Sequence, residues 1–192
     1  MKAHIRKAIE ISDAKIQFVS LVDSAANKRQ FLVQKAEDGK AQFSSVGKIL
    51  MSDDTTHFIT GIVYAPLTED THGNFMTEEE IKKAAHWFAK NGDKVDLQHS
   101  FEQVAGVTVV ETYVAPCDME IGGQSVVKGS WLMTVEVDNT EVWAKVQKGE
   151  ITGFSMGGVG TYSEAETQLP ETAGVFQELS GGGAGALPHG RR

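Results

Sequence analysis

In the run GSWLMTVEVD, residues 129–138, the side chains Trp131, Met133, Val135 and Val137 fall at every second position. Successive side chains point to opposite faces of a strand, so this spacing buries one face of a sheet; a helix would need a period near 3.6. The same β-rich character recurs in IQFVSLVD (16–23), HFITGIVYAP (57–66) and AGVTVVETYVAP (105–116). KVDLQHS (94–100) and ITGFSM (from 151) read as shorter strands, and FLVQK (31–35) can pair back on the first.

Only two segments carry helical spacing. Thr77 and Glu80 form a T-x-x-E capping box, Ile81, Ala84, Ala85 and Phe88 then share one face, and Asn91-Gly92-Asp93 ends the helix. In DNTEVWAKVQKG (138–149), Asp138 and Glu141 make a second capping box, Val142, Trp143 and Val146 the buried stripe, and Gly149 the stop. Residues 1–15 are polar with weak helical spacing, 37–57 read as a loop or linker around a short strand, and 68–74 as a turn. No internal repeat is present. Many strands and two helices predict a β-rich α+β fold, a barrel rather than a doubly wound sheet.

The 192 residues suit one domain, organised as 1–57 (N-terminal strands and polar linker, part of the barrel), a core over 58–162, and a polar, Gly-rich tail over 163–192. A net charge of -8 argues against non-specific nucleic-acid binding, which needs clustered Lys and Arg. The one cysteine, Cys117, excludes an internal disulfide framework and fits a reducing compartment. No apolar run reaches the ~20 residues of a membrane helix, and MKAHIRKAIEIS lacks the apolar centre of a signal peptide. These features predict a soluble, cytoplasmic protein.

GEITGFSMGGVG, residues 149–160, poses the chemical question. Ser155 sits in a G-x-S-x-G pattern, yet no amphipathic helix follows it, and the one histidine downstream, His189, is in the tail. A nucleophile elbow needs strand, turn and helix, with its histidine after the serine, so that reading fails. A serine paired with an upstream histidine survives, because a hydroxyl needs a base to take its proton. His4 is terminal, His57 and His72 are solvated positions, and His86 belongs to a helix surface. His99 closes a strand just before an irregular stretch, where catalytic groups tend to sit. The plain alternatives are a strand-end histidine satisfied by backbone and water, and a tight turn around Ser155.

Three stretches, GIVYAPLTEDTHGNFMTEEEIKKAAHWF, KVDLQHSFEQVAGVTVVETYVAP and KGSWLMTVEVDNTEVWAKVQKGEITGFSMGG, resemble in order and separation the XkdF-like phage serine proteases, a group of capsid-maturation (prohead) proteases. They span about 58–160. The resemblance implies an assemblin-like β-barrel flanked by helices, with His99 as general base and Ser155 as nucleophile on neighbouring strands. FVSLVDSAAN (18–27) is similar to a strand that follows the serine in many prohead proteases, which implies a circular permutation. The acidic residue that begins that strand in relatives falls on Phe18 here, so a third catalytic member is not named. Asp23 is displaced along the chain, Glu111 is expected too far along its ladder, and Asp96, three residues before His99, is expected on the opposite face of an extended strand.

The implied function is a serine endopeptidase that cleaves the scaffolding protein, the major capsid protein and itself inside the assembling prohead, in the host cytoplasm. It implies a homo-oligomer and no cofactor, with backbone N–H groups of Met156, Gly157 and Gly158 available to an oxyanion. The alternatives are a catalytically inactive capsid-assembly or scaffold-binding module of the same fold, and a metal-dependent hydrolase using His72, His86 or His99. The second lacks any H-E-x-x-H or comparable ligand spacing.

Overall fold

A computed structural model describes residues 6–23, 41–70, 73–92, 94–98, 100 and 102–169. Among these the order is β1 (Arg6–Val22), β2 (Ala41–Asp53), β3 (Phe58–Tyr64), β4 (Asn74–Phe75), α1 (Glu78–Asn91), β5 (Val95–Leu97) and β6 (Val107–Val114). There follow β7 (Met119–Ile121), β8 (Gln124–Val126), β9 (Trp131–Val137), α2 (Thr140–Gln147) and β10 (Gly153–Leu169). The expected β-rich architecture with two helices is present.

One sheet runs in the order β4-β1-β10-β2-β3-β9-β6. Its long neighbours are antiparallel, while β4 and β5 lie parallel to β1 along the same edge, at Ile9–Glu10 and at Val19–Leu21. The sheet curls, because α1 touches β1 towards one end of the order and β9 and β6 at the other. Val104, on the approach to β6, donates its amide to the Val95 carbonyl of β5 at 3.0 Å, drawing the two ends together. The result is a curled half-barrel.

The helix that fills this curl forms for the reasons its sequence predicts. Thr77 Oγ1 accepts from the Glu80 amide at 3.4 Å, and Glu78, Glu79 and Glu80 favour the positive end of the helix. Ile81, Ala84, Ala85 and Phe88 are buried against the sheet. Burying Ile81 and Phe88 stabilises by about 1.5–3 kcal/mol each. Glu80 does not close the capping box. Its carboxylate leaves the helix and accepts from the Asp13 amide of β1 at 2.8 Å and from Lys83 at 2.7 Å. In α2 the cap is Asn139 rather than Asp138, with Asn139 Oδ1 accepting from Glu141 and Val142 at 3.1 Å. Gly149, at φ 69, follows the end of α2 as expected.

Three expectations change. Residues 6–15, read as polar with weak helical spacing, are the first half of β1; register shifts at Ile9/Ile11, Ser12/Lys15 and Ile16/Phe18 break its period of two. The segment 37–57, read as a loop around a short strand, contains the 13-residue β2, paired with β10 on one side and β3 on the other. Its small residues hide it: a Cβ on Gly47 would collide with the Ile62 carbonyl, so close strand approach selects glycine. Finally, β10 continues to Leu169, past Ser163 where the composition turns polar, because Arg6–Ile9 pair with Glu166–Leu169. The expected strand at 31–35 lies outside the described residues, as does 170–192.

Candidate active site

Ser155 is the third residue of β10, opposite Ser20 of β1 and Val46 of β2. The glycine-rich run is therefore a central strand rather than a tight turn. With partners on both sides, the amides of Met156, Gly157 and Gly158 lie in the plane of the sheet and face neighbouring strands. That orientation does not present them to an oxyanion, contrary to the sequence-based expectation.

The face on which Ser155 projects follows from its neighbours. Phe154 and Met156 belong to the core that contains Ile81, Ala84, Ala85 and Phe88 of α1, as do their partners Leu21 and Val19 and, on β5, Val95. Side chains alternate, so Ser155 and Ser20 point to the other face, away from α1. Ser20 is also the partner of Asp96 across the β1–β5 ladder. Asp96, Ser20 and Ser155 thus stand abreast on three adjacent strands, and residues directly opposite share a face. At about 4.8 Å per strand the row spans about 10 Å.

All three are closed to solvent, at 0%, 1% and 0% exposure. The Ser155 hydroxyl finds no hydrogen-bond partner among the described residues. Buried hydroxyls are nearly always bonded, since stripping one of water without compensation is costly. A packing role at this position would be better filled by alanine or valine.

His99 itself lies outside the described residues, but its chain neighbours are placed. β5 stops at Leu97; Gln98 adopts φ 54 and donates its amide to the Leu21 carbonyl at 3.0 Å, and the Ser100 amide donates to the Leu97 carbonyl at 3.2 Å. Gln98 is therefore tied to β1 one residue beyond Ser20. The expectation for Asp96 assumed an extended strand through 99; extension ends at Leu97, and Gln98 has a positive φ. Ser20 is the member of the row that sequence reasoning missed, and Asp96 the one it set aside; the register between three strands is needed to see the row.

The other candidates fall elsewhere. Glu111 on β6 faces β9, where its Oε2 accepts from Thr134 Oγ1 at 2.9 Å, and Thr134 in turn bonds Thr60 at 2.9 Å. β5 pairs with β1 rather than forming a ladder with β6, so the ladder on which Glu111 was expected is absent among the described residues. Asp23 follows the last residue of β1 and is off the row. His57, expected to be solvated, is partly buried at φ 56 and stacks on Trp143 with ring centroids 4.5 Å apart. His86 is exposed on α1, while His4, His72 and His189 lie outside the described residues. Among the described residues no group of three or more His, Cys, Asp or Glu could hold a metal ion, and no helix is long and apolar enough to cross a membrane. Further along β10, burial and then the nearby Asp70 carboxylate push the Tyr162 phenol up.

Comparison with known proteins gives this site a family. Residues 45–164 match the family described as "Putative phage serine protease XkdF", and the chain belongs to that family. The stretch holds β3, α1, β5, β6 and β9 and most of β10, including Ser155. The chain is 44% identical over 170 residues to "Phage-like element PBSX protein XkdF" of Bacillus subtilis (strain 168), covering 88% of this chain and 60% of the relative. It is 45% identical over 170 residues to "Uncharacterized protein YqbD" of the same organism, covering 88% of this chain and 50% of the relative. The chain thus spans about half to three fifths of the length of these relatives. No solved structure matches it.

Proposed function

We propose that this chain is a serine endopeptidase of phage capsid maturation, with Ser155 as nucleophile and His99 as general base. The observation that carries the reading is the Ser155 hydroxyl, buried without a hydrogen-bond partner among the described residues on a strand where packing calls for no hydroxyl. The tie between Gln98 and Leu21 supports a base close in the chain to the β1 end of the row. The family's description supports the reaction class.

In this mechanism the Ser155 oxygen attacks the scissile carbonyl carbon as its proton passes to His99. The tetrahedral intermediate collapses with cleavage of the C–N bond, and the proton goes to the departing amine. Water, deprotonated by the same imidazole, then releases the acyl group and restores the serine. Asp96, level with Ser155 and just before the turn, is suited to hold the imidazole in orientation. The substrates are the scaffolding protein, the major capsid protein and the protease itself, cleaved by a homo-oligomer inside a prohead in the host cytoplasm. An assemblin-like barrel accords with the curled sheet, and β1 beside β10 accords with a permuted origin of the N-terminal strand.

The 0% exposure of Ser155 favours a second reading, an inactive assembly module that retains the fold. Co-expression with scaffolding and capsid proteins separates the two. Wild type cleaves them and Ser155→Ala and His99→Ala do not; cleavage at equal rates by all three removes the dyad, and none by wild type favours the module.

A further inference from the structure

Gly157 and Gly158 adjoin in the sequence but answer to different demands. A Cβ on Gly158 would collide with the Lys15 carbonyl oxygen, where β1 shifts register beside β10. Strand packing alone therefore requires glycine at 158. At Gly157 a Cβ would meet nothing within 4 Å among the described residues, and Gly157 is not among the positions with positive φ. Nothing among the described residues therefore opposes a side chain there.

A glycine in a central strand weakens that strand and often marks a bulge, a bend or a close approach of ligand or backbone; the β1 bulge at Ile16/Phe18 presses on Gly158 and leaves Gly157 without a contact among the described residues, which points to a close approach from outside. Gly157 lies two residues from Ser155, hence on the same face. Unlike Ser155 it is partly exposed. Its partner on β1 is Phe18, also partly exposed, with the Lys94 ammonium 6.0 Å from the ring centroid. The bare backbone of Gly157 beside the Phe18 ring forms an open floor next to a closed serine.

We propose that Gly157 is the specificity-determining floor of the substrate path: an extended polypeptide crosses this face of β10 at Gly157 to bring its carbonyl to Ser155. Any side chain at 157 fills the space that the substrate's own chain occupies. This rests on the protease reading above.

The test uses the full chain with Gly157→Ala, Gly157→Val and Gly158→Ala, each measured for thermal unfolding, labelling of Ser155 by a small alkyl fluorophosphonate, and cleavage of a scaffolding-protein substrate. The expected result is that both Gly157 variants melt no lower than wild type and keep the labelling rate within about twofold. Gly157→Val then loses roughly a hundredfold in kcat/KM, mainly through KM, with Gly157→Ala between. Gly158→Ala melts lower, which shows that the assay detects a packing defect. Cleavage by Gly157→Val at the wild-type rate overturns the assignment of Gly157 and leaves the protease reading standing. A lowered melting temperature for Gly157→Ala overturns the open floor. Absence of both labelling and cleavage in wild type overturns the protease reading and this inference with it.

Discussion

Ser20 and Ser155 stand opposite one another in adjacent antiparallel strands, both closed to solvent, on the face of the sheet turned away from α1. The Ser155 hydroxyl, without a partner among the described residues, does nothing for packing that alanine would not do better. It shares its face with the buried side chain of Asp96, two strands away.

Ser155→Ala therefore has opposite effects on stability and activity. Removing a buried hydroxyl that has no partner among the described residues leaves unfolding free energy unchanged or raises it by up to about 1 kcal/mol. Under the proposed function, cleavage is expected to disappear. Urea melts beside a cleavage assay check both, and a loss of stability beyond about 1 kcal/mol would show that the hydroxyl has a structural bond.

Asp96→Asn keeps the shape of a fully buried side chain and removes its capacity for negative charge. If Asp96 orients the base, kcat falls at least about tenfold while KM stays close to wild type. An unchanged kcat would assign Asp96 to the fold alone.

Glu80 is a buried carboxylate that joins α1 to β1 through the Asp13 amide at 2.8 Å, where Asp13 itself sits at φ 50. Glu80→Ala leaves that amide without its acceptor and destabilises by about 1–3 kcal/mol. Glu80→Gln retains an acceptor oxygen and loses less. Chemical denaturation of both variants measures the difference.

Gly61 lies under the ring of Phe154, the residue before Ser155. A Cβ there would sit 2.6 Å from the Lys48 carbonyl oxygen and 2.8 Å from the Phe154 ring. Gly61→Ala is expected to destabilise by about 1–3 kcal/mol and, by shifting Phe154, to slow cleavage as well. Retained stability would mean that β2 and β3 separate more readily than their pairing implies.

The elements with strong local signals were legible in the sequence. The Thr77 cap, the Ile81–Phe88 stripe and the alternation of Trp131, Met133, Val135 and Val137 each follow from contacts a few residues apart, and all are seen. What escaped depends on partners far along the chain. β2 reads as a polar linker because a central strand between β10 and β3 needs small residues where strands approach closely. Register shifts disguise the first half of β1. Glu80 gives up the helix start for an amide 67 positions away. The site divides in the same way: Ser155 stands out by its glycines, but the row Asp96–Ser20–Ser155 exists only once β5 runs parallel to β1 and β1 antiparallel to β10.

The turn at the end of the β2–β3 hairpin carries a pH effect of definite sign. Asp53 Oδ1 accepts from the Thr55 amide at 2.7 Å and the Thr56 amide at 3.3 Å, and these bonds hold its carboxyl below the ordinary range. The contribution is complete above the carboxyl's unfolded pKa and is lost as pH falls through its lower folded value. Asp53→Asn should thus differ from wild type in stability at neutral pH and converge with it in acid, as followed by thermal melts across pH.

Peptide mapping by mass spectrometry after exposure of the folded chain to a fluorophosphonate tests the central claim most directly. The expected result is a single adduct on Ser155 in wild type, absent when His99 is replaced by alanine although the variant melts as wild type does. An adduct that forms equally well without His99, or none at Ser155 in wild type, would contradict the account.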